Sequence, residues 1–343
     1  MTSATPPIEA SAFQAGRTGG GWGDLRRVLR SCASLTLIWA VIWLAAYWAD
    51  RSLPYTKPGS DIIYNAKSNY IENHKIFTAD KPVKVLVLGN SKVLSGFIPD
   101  QFDRQVQGAT SFNVGLPNSY YFLPQLKAML ADGNIPTHVL YMVEWRDPQD
   151  EKSNVFHYLP SDQKIMDRLF PFRAFVRDAA IFLMRSREFG GPLGSYRHGE
   201  EQVRKMEEAR GYYFIEGQSR FADHRLPSDF HLNGDNAELV EYRTGATNTE
   251  SFHELKVLAD QYHFKIVVMP YYLRQGERGT PGRNVQIANA LRPYPEFAVQ
   301  GDEYFLFENR FFSDIAHLNH EGAQLYTSKI AELMNAELAG EHR

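Results

Sequence analysis

The apolar and polar positions of this chain follow two regimes that meet near residue 80. The first holds one uncharged run, SCASLTLIWAVIWLAAYWA from Ser31 to Ala49, long enough as a helix to cross a hydrocarbon core of about 30 Å. Trp39, Trp43, Tyr47 and Trp48 suit lipid or interfacial contact. Arg17, Arg26, Arg27 and Arg30 precede the run, and Asp50 and Arg51 come after it. By the positive-inside rule, residues 1–30 form a short cytoplasmic tail, 31–49 a transmembrane signal anchor, and the remainder is exported. A cleaved signal peptide and a buried core helix are the competing readings. Cleavage is disfavoured because the run is long and Tyr47 stands where a small residue should precede Ala49.

Residues 50–81 are polar, dotted with aromatics and without clear period, and read as a connector packed loosely on the main domain. From 82 to 338 apolar stretches of strand length alternate with helical patterns. VKVLVLG (Val83–Gly89), SFNVG (Ser111–Gly115), THVLYMVEW (Thr137–Trp145) and FKIVVMP (Phe264–Pro270) read as strands, with YFLFE (Tyr304–Glu308) a weaker fifth. Helices are expected between Tyr120 and Gly133, from Thr249 to His263, and from about His320 to Leu338. This alternation predicts an α/β fold, with helices around a parallel sheet whose right-handed crossovers gather the C-terminal strand ends on one edge, where a site belongs. An insertion at about 148–248, with a helical stretch from Asp162 to Glu188, is expected to lid or wall that site.

With 43% hydrophobic residues among 343 and a net charge of −3, the chain has an ordinary globular composition, which excludes overall disorder. It has no basic stripe interleaved with aromatics, so no nucleic acid is expected as partner. Cys32 is the sole cysteine, so neither an internal disulfide nor a cysteine zinc site can form. Arg30 just before it, with the apolar stretch coming after the cysteine, argues against lipidation. No His/Asp cluster has metal-ligand spacing, and no cofactor is expected.

Two short segments carry chemistry. In L-G-N-S-K, Ser91 stands just beyond the first strand, where its hydroxyl would lie at the C-terminal sheet edge and its amide would point at the space above. Taken alone, Gly-Asn-Ser after a strand more often marks a helix cap or a turn. In FFSDIAHLNHEGAQLYT, Asp314 and His317 stand three residues apart just before the last helix. His317 there can take a serine proton while Asp314 holds the ring and stabilises the imidazolium. An aspartate cap beside a surface histidine is the plain alternative.

Taken in order, L-G-N-S-K-V-L-S-G resembles the first block of the SGNH/GDSL hydrolases, N-V-G-L-P-N-S the second, and D-I-A-H-L-N-H-E-G the last. The resemblance covers about residues 82–147 and 249–338. It implies a three-layer α/β/α, flavodoxin-like SGNH domain with a Ser91, Asp314, His317 triad and an oxyanion hole at the Ser91 and Gly115 amides. The third block departs: the family has G-x-N-D after strand three, whereas this chain has V-E-W-R-D, Val143–Asp147. The donor asparagine is absent, a loss that typically costs about 2.7–4 kcal/mol of transition-state stabilisation, and Asn118 is the candidate replacement. Lys92 and Glu144 are candidate substrate contacts, Lys92 reading more readily as a solvated lysine at a helix start and Glu144 equally as a partner of Arg146.

Anchored proteins with these blocks resemble the DltD and alginate-acetylation groups, which work beside a membrane-bound O-acyltransferase. The resemblance therefore implies O-acyl, chiefly O-acetyl, transfer through an acyl-serine onto an exopolysaccharide or other envelope glycan at a bacterial inner membrane. That acyltransferase and a polysaccharide-synthesis complex are the implied partners. A carbohydrate or lipid acyl esterase, and a non-catalytic glycan-binding or assembly subunit, are the alternatives.

Overall fold

The computed structural model describes residues 22–57, 59–77, 80–117, 122–142, 172–215, 219–232, 250–277 and 285–341. Its strands are β1 (Val83–Gly89), β2 (Ala109–Asn113), β3 (His138–Met142), β4 (Lys265–Val268), β5 (Tyr271–Arg274), β6 (Phe297–Val299) and β7 (Tyr304–Phe307). Five of them form one parallel sheet in the order β2-β1-β3-β4-β6. The order changes direction between β1 and β3, the switch point at which doubly wound sheets open their ligand crevice.

The helices, in chain order, are α1 (Trp22–Ser52), α2 (Gly59–Asn73), α3 (Ser91–Gly96), α4 (Pro99–Gln105), α5 (Leu123–Ala131), α6 (Phe172–Arg185), α7 (Pro192–Glu208), α8 (Glu250–Tyr262), α9 (Val285–Leu291) and α10 (His320–Glu341). Successive side chains of a strand point to opposite faces, and β1 uses both. Val85 and Val87 join Phe102 of α4 and Tyr326, Ile330 and Met334 of α10 in one core. Leu86 and Leu88 join Leu126 of α5 and Phe252 and Leu255 of α8 in the other. Burial on both faces is why VKVLVLG reads as a nearly unbroken apolar run.

Among the described residues one helix, Leu25–Ser52, is long and apolar enough to cross a membrane, and none of its most apolar stretch is buried. It extends the expected span of 31–49 at both ends.

Three expectations are corrected. The loose connector contains α2, whose Ile63, Lys67 and Ile71 are buried at four-residue spacing. The lysine in the middle of that stripe hides the period. YFLFE does not join the main sheet: β7 pairs in parallel with β5, Tyr271 opposite Tyr304, in a separate two-stranded ribbon. The fifth place beside β4 belongs to β6, whose three residues are too few to display a period. The second strand also starts at Ala109 and ends at Asn113; beyond it Val114 N–H still donates to Val87 O at 2.9 Å and Leu116 N–H to Gly89 O at 3.0 Å, while the Gly115 N–H between them is taken by Asn113 Oδ1. Val143–Trp145 and residues 162–171 of the Asp162–Glu188 stretch lie outside the described residues; the rest is α6 and the first three residues of a short 3-10 turn after it.

Candidate active site

Where β1 hands over to α3, Gly89 is required by packing, since a Cβ there would lie 2.8 Å from the Met142 carbonyl oxygen. Asn90 caps the first turn of α3, its Oδ1 accepting the Lys92 N–H at 2.9 Å. Ser91 is thus the first residue of α3 at the C-terminal edge of β1, partly exposed, with its carbonyl accepting from Ser95 Oγ at 2.9 Å. Among the described residues its own hydroxyl makes no hydrogen bond.

The Asp314–His317 segment is a tight loop. Phe312 and Leu318 bridge antiparallel at its neck, and the Ser313 N–H donates to the His317 carbonyl at 2.9 Å. Asp314 Oδ1 accepts the N–H groups of Ala316 and His317, both at 2.8 Å, and Oδ2 lies 2.8 Å from His317 Nδ1. An ionised carboxylate only accepts, so Nδ1 carries the proton and Nε2 of the neutral ring is left as acceptor. Nε2 is buried and has no partner. An orphaned buried nitrogen is costly, and such groups concentrate where a base is needed. Burial by itself would raise the Asp314 carboxyl; the His317 ring and the two backbone N–H groups outweigh it and hold the group below its ordinary value.

The rest of the closing block is helix-start chemistry. Asn319 precedes α10 and its Oδ1 accepts the Gly322 N–H at 3.0 Å, while its Nδ2 donates to the Arg310 carbonyl at 2.8 Å. A Cβ on Gly322 would collide with the Phe311 carbonyl.

One side chain joins the two segments. The Tyr272 hydroxyl donates to the Lys92 carbonyl at 3.1 Å and receives the Leu318 N–H at 3.5 Å. Those residues are next in the chain after Ser91 and His317, so a single buried phenol holds the two stretches side by side. Sequence reasoning passed over Tyr272, which lies in P-Y-Y-L-R with no motif around it.

The second block is organised by two further residues that the sequence did not flag. Asn113, fully buried, donates through Nδ2 to the carbonyls of Val93 and Phe97, both at 2.8 Å, and so ties β2 to α3. Its Oδ1 accepts the Gly115 N–H at 2.9 Å. That amide, the candidate oxyanion donor, is therefore engaged within its own turn. Gly115 is also demanded by packing, because a Cβ would lie 2.8 Å from Leu94 Cα. Lys67 reaches in from α2 and donates to the carbonyls of Asn113 at 2.8 Å and Gly115 at 2.5 Å.

The insertion braces both segments. Its Tyr213 N–H donates to Leu94 O at 3.0 Å, its Leu226 N–H to Phe312 O at 2.8 Å, and its Ser219 Oγ to Ser313 O at 2.6 Å. Lys92 turns toward β5, its ammonium donating to Tyr272 O at 3.1 Å and lying 5.7 Å from the centre of the Tyr271 ring. Asn118 and Glu144 lie outside the described residues. Among the described residues no group of three or more His, Cys, Asp and Glu side chains is placed to hold a metal ion. No family model matches the chain, and neither a curated protein nor a solved structure matches it.

Proposed function

We propose that this chain is a membrane-tethered serine acyl-ester enzyme of the SGNH kind, which passes an O-acyl group, in the first place acetyl, to an envelope glycan. The observation that carries the chemistry is the Asp314–His317 pair, whose buried, unpartnered Nε2 stands on a loop that Tyr272 fastens to the residue after Ser91. The strand order 2-1-3-4 about β1, with helices on both faces, supports the three-layer flavodoxin-like arrangement. The glycan acceptor, the O-acyltransferase partner and the exported orientation rest on the resemblance of the sequence blocks and on the charge asymmetry around α1.

In this reading His317 Nε2 accepts the Ser91 proton as Oγ attacks the donor's acyl carbonyl, and Asp314 stabilises the imidazolium. The imidazolium returns the proton to the leaving oxygen or sulfur, and the acyl group remains on Ser91. A sugar hydroxyl, deprotonated by the same nitrogen, then attacks the acyl-serine, which frees Oγ to recover the proton. Oxyanion donation falls to the Ser91 amide and to whatever the segment beyond Leu116 contributes, since the Gly115 N–H is turned toward Asn113.

A fluorophosphonate offered to the full chain should label Ser91. Labelling should vanish in Ser91→Ala and slow by about 10³-fold or more in His317→Ala. Folded protein that takes no label would reject the enzyme reading. With an acyl donor and oligosaccharide, free acid as the sole product at saturating acceptor would point to an esterase. The missing third-block asparagine and the engaged Gly115 amide favour one other reading, a glycan-binding or assembly subunit. It would prevail if Ser91→Ala left cellular glycan acylation intact while gene deletion abolished it.

A further inference from the structure

Helix α6 and the turn after it present apolar side chains that the domain leaves uncovered. Leu183 and Met184 are 55% and 74% exposed, and Phe189 and Leu193 just beyond are exposed as well. Arg177, Arg185, Arg187 and Arg197 accompany them in sequence, against two acidic residues, Asp178 and Glu188. Asp178 is buried and paired with Arg177. Exposed apolar side chains interspersed with arginines form the pattern of a helix lying in the lipid–water interface.

Exposure alone does not choose between lipid and protein as the covering partner; two placements do. First, α6 packs against α1. Every residue from Leu25 to Trp39 is exposed, whereas Ala40, Trp43, Ala46, Tyr47 and Asp50 are partly or fully buried at the spacing of one helix face. Helix α6 therefore lies against the outer end of the apolar segment.

Second, α2 runs antiparallel to the strands. Lys67 meets Asn113 and Gly115 at the C-terminal end of β2, while beyond the helix Ile76 N–H bonds Asn134 Oδ1, just before the start of β3. Gly59, eight residues before Lys67, consequently projects roughly 12 Å past the C-terminal sheet edge. The outer end of α1 is thus on the same side of the domain as Ser91 and the Asp314–His317 loop.

We infer that α6 and the turn after it lie in the outer lipid–water interface and dock the domain on the bilayer with its Ser91 edge toward the membrane. The arginines meet anionic headgroups, and Leu183 and Met184 enter the acyl boundary. Ser91 then meets its acyl donor at the bilayer surface. This rests on α1 spanning the membrane.

The full chain, in a Cys32→Ser background, can carry a fluorophore on a single cysteine at Ile38→Cys in α1, Met184→Cys in α6 or Asp132→Cys at the opposite sheet edge. Each form is reconstituted without any other protein in zwitterionic vesicles with or without anionic phospholipid. Nitroxide-bearing lipid should quench the labels at 38 and 184, the latter more with anionic lipid, and aqueous iodide should quench the label at 132. Replacing Arg185 and Arg187 with glutamate should abolish the anionic-lipid gain at 184 and leave 38 unchanged. Lipid quenching at 38 with iodide quenching at 184 would overturn the docking and leave α1 as a span. Iodide quenching at both would overturn the span and the docking with it. Equal lipid quenching at 132 and 184 would overturn the orientation.

Discussion

Lys67 is a buried ammonium with carbonyl oxygens for partners, and burial pushes it well below its ordinary value of 10.5. Replacement by methionine of similar length removes the donor for two buried carbonyls, a loss of about 1–3 kcal/mol each, but it also removes the cost of burying a charge. Stability should therefore change by less than about 2 kcal/mol, while the 113–115 turn loosens and labelling of Ser91 slows. Measuring Tm and labelling rate side by side decides the matter: parallel losses would mean that Lys67 only supports the fold. Asp314 gives a pH prediction. A carboxyl held below its ordinary value contributes stability above the unfolded value and loses it as pH falls through the folded one. Asp314→Asn should accordingly show a flatter Tm between about pH 5 and about pH 2 than the unaltered chain. Ser91, Asp314 and His317 could be singled out as candidates because they sit in ordered blocks. Lys67 and Tyr272 were not, because their roles consist of bonds to backbone atoms far along the chain, which leave no local pattern.

At the scale of elements, the turn after β2 is a close fit at the site. Gly115→Ala would drive a methyl into the Leu94 backbone, and overpacking of this kind costs about 1–3 kcal/mol. A lower Tm together with slower labelling is expected, since Leu94 lies in the same short helix as Ser91. Gly115 is thus needed for close approach, independently of any role for its amide. The strands β1, β3 and β4 were readable from their apolar runs because both faces are covered. Helix α2 escaped notice because a charged residue occupies its buried stripe, and β6 because three residues cannot establish a period of two.

For the whole molecule, the arrangement of the N-terminal helix, the insertion and the sheet decides what the candidate site can reach. The insertion bonds to α3 through Tyr213 and to the Asp314–His317 loop through Ser219 and Leu226, so it walls both sides at once. If α1 anchors the chain, the protein should stay with membranes through high salt and alkaline carbonate and be released by detergent; release by salt would exclude a spanning helix.

Length and composition along the chain determined the long apolar N-terminal helix and the alternation of strand and helix, because both are local consequences of which residues avoid water. The blocks around Ser91, Gly115 and His317 were likewise visible, as short stretches whose chemistry is written within a few positions. Their meeting was decided by tertiary structure alone: Tyr272 stands 180 residues from Lys92 and 46 from Leu318, and only the folded sheet brings its hydroxyl to both. The same holds for the engaged Gly115 amide, the unpartnered His317 Nε2 and the side of the domain from which α1 departs. Each depends on what packs against a group in three dimensions, and the order of residues along the chain does not specify that directly.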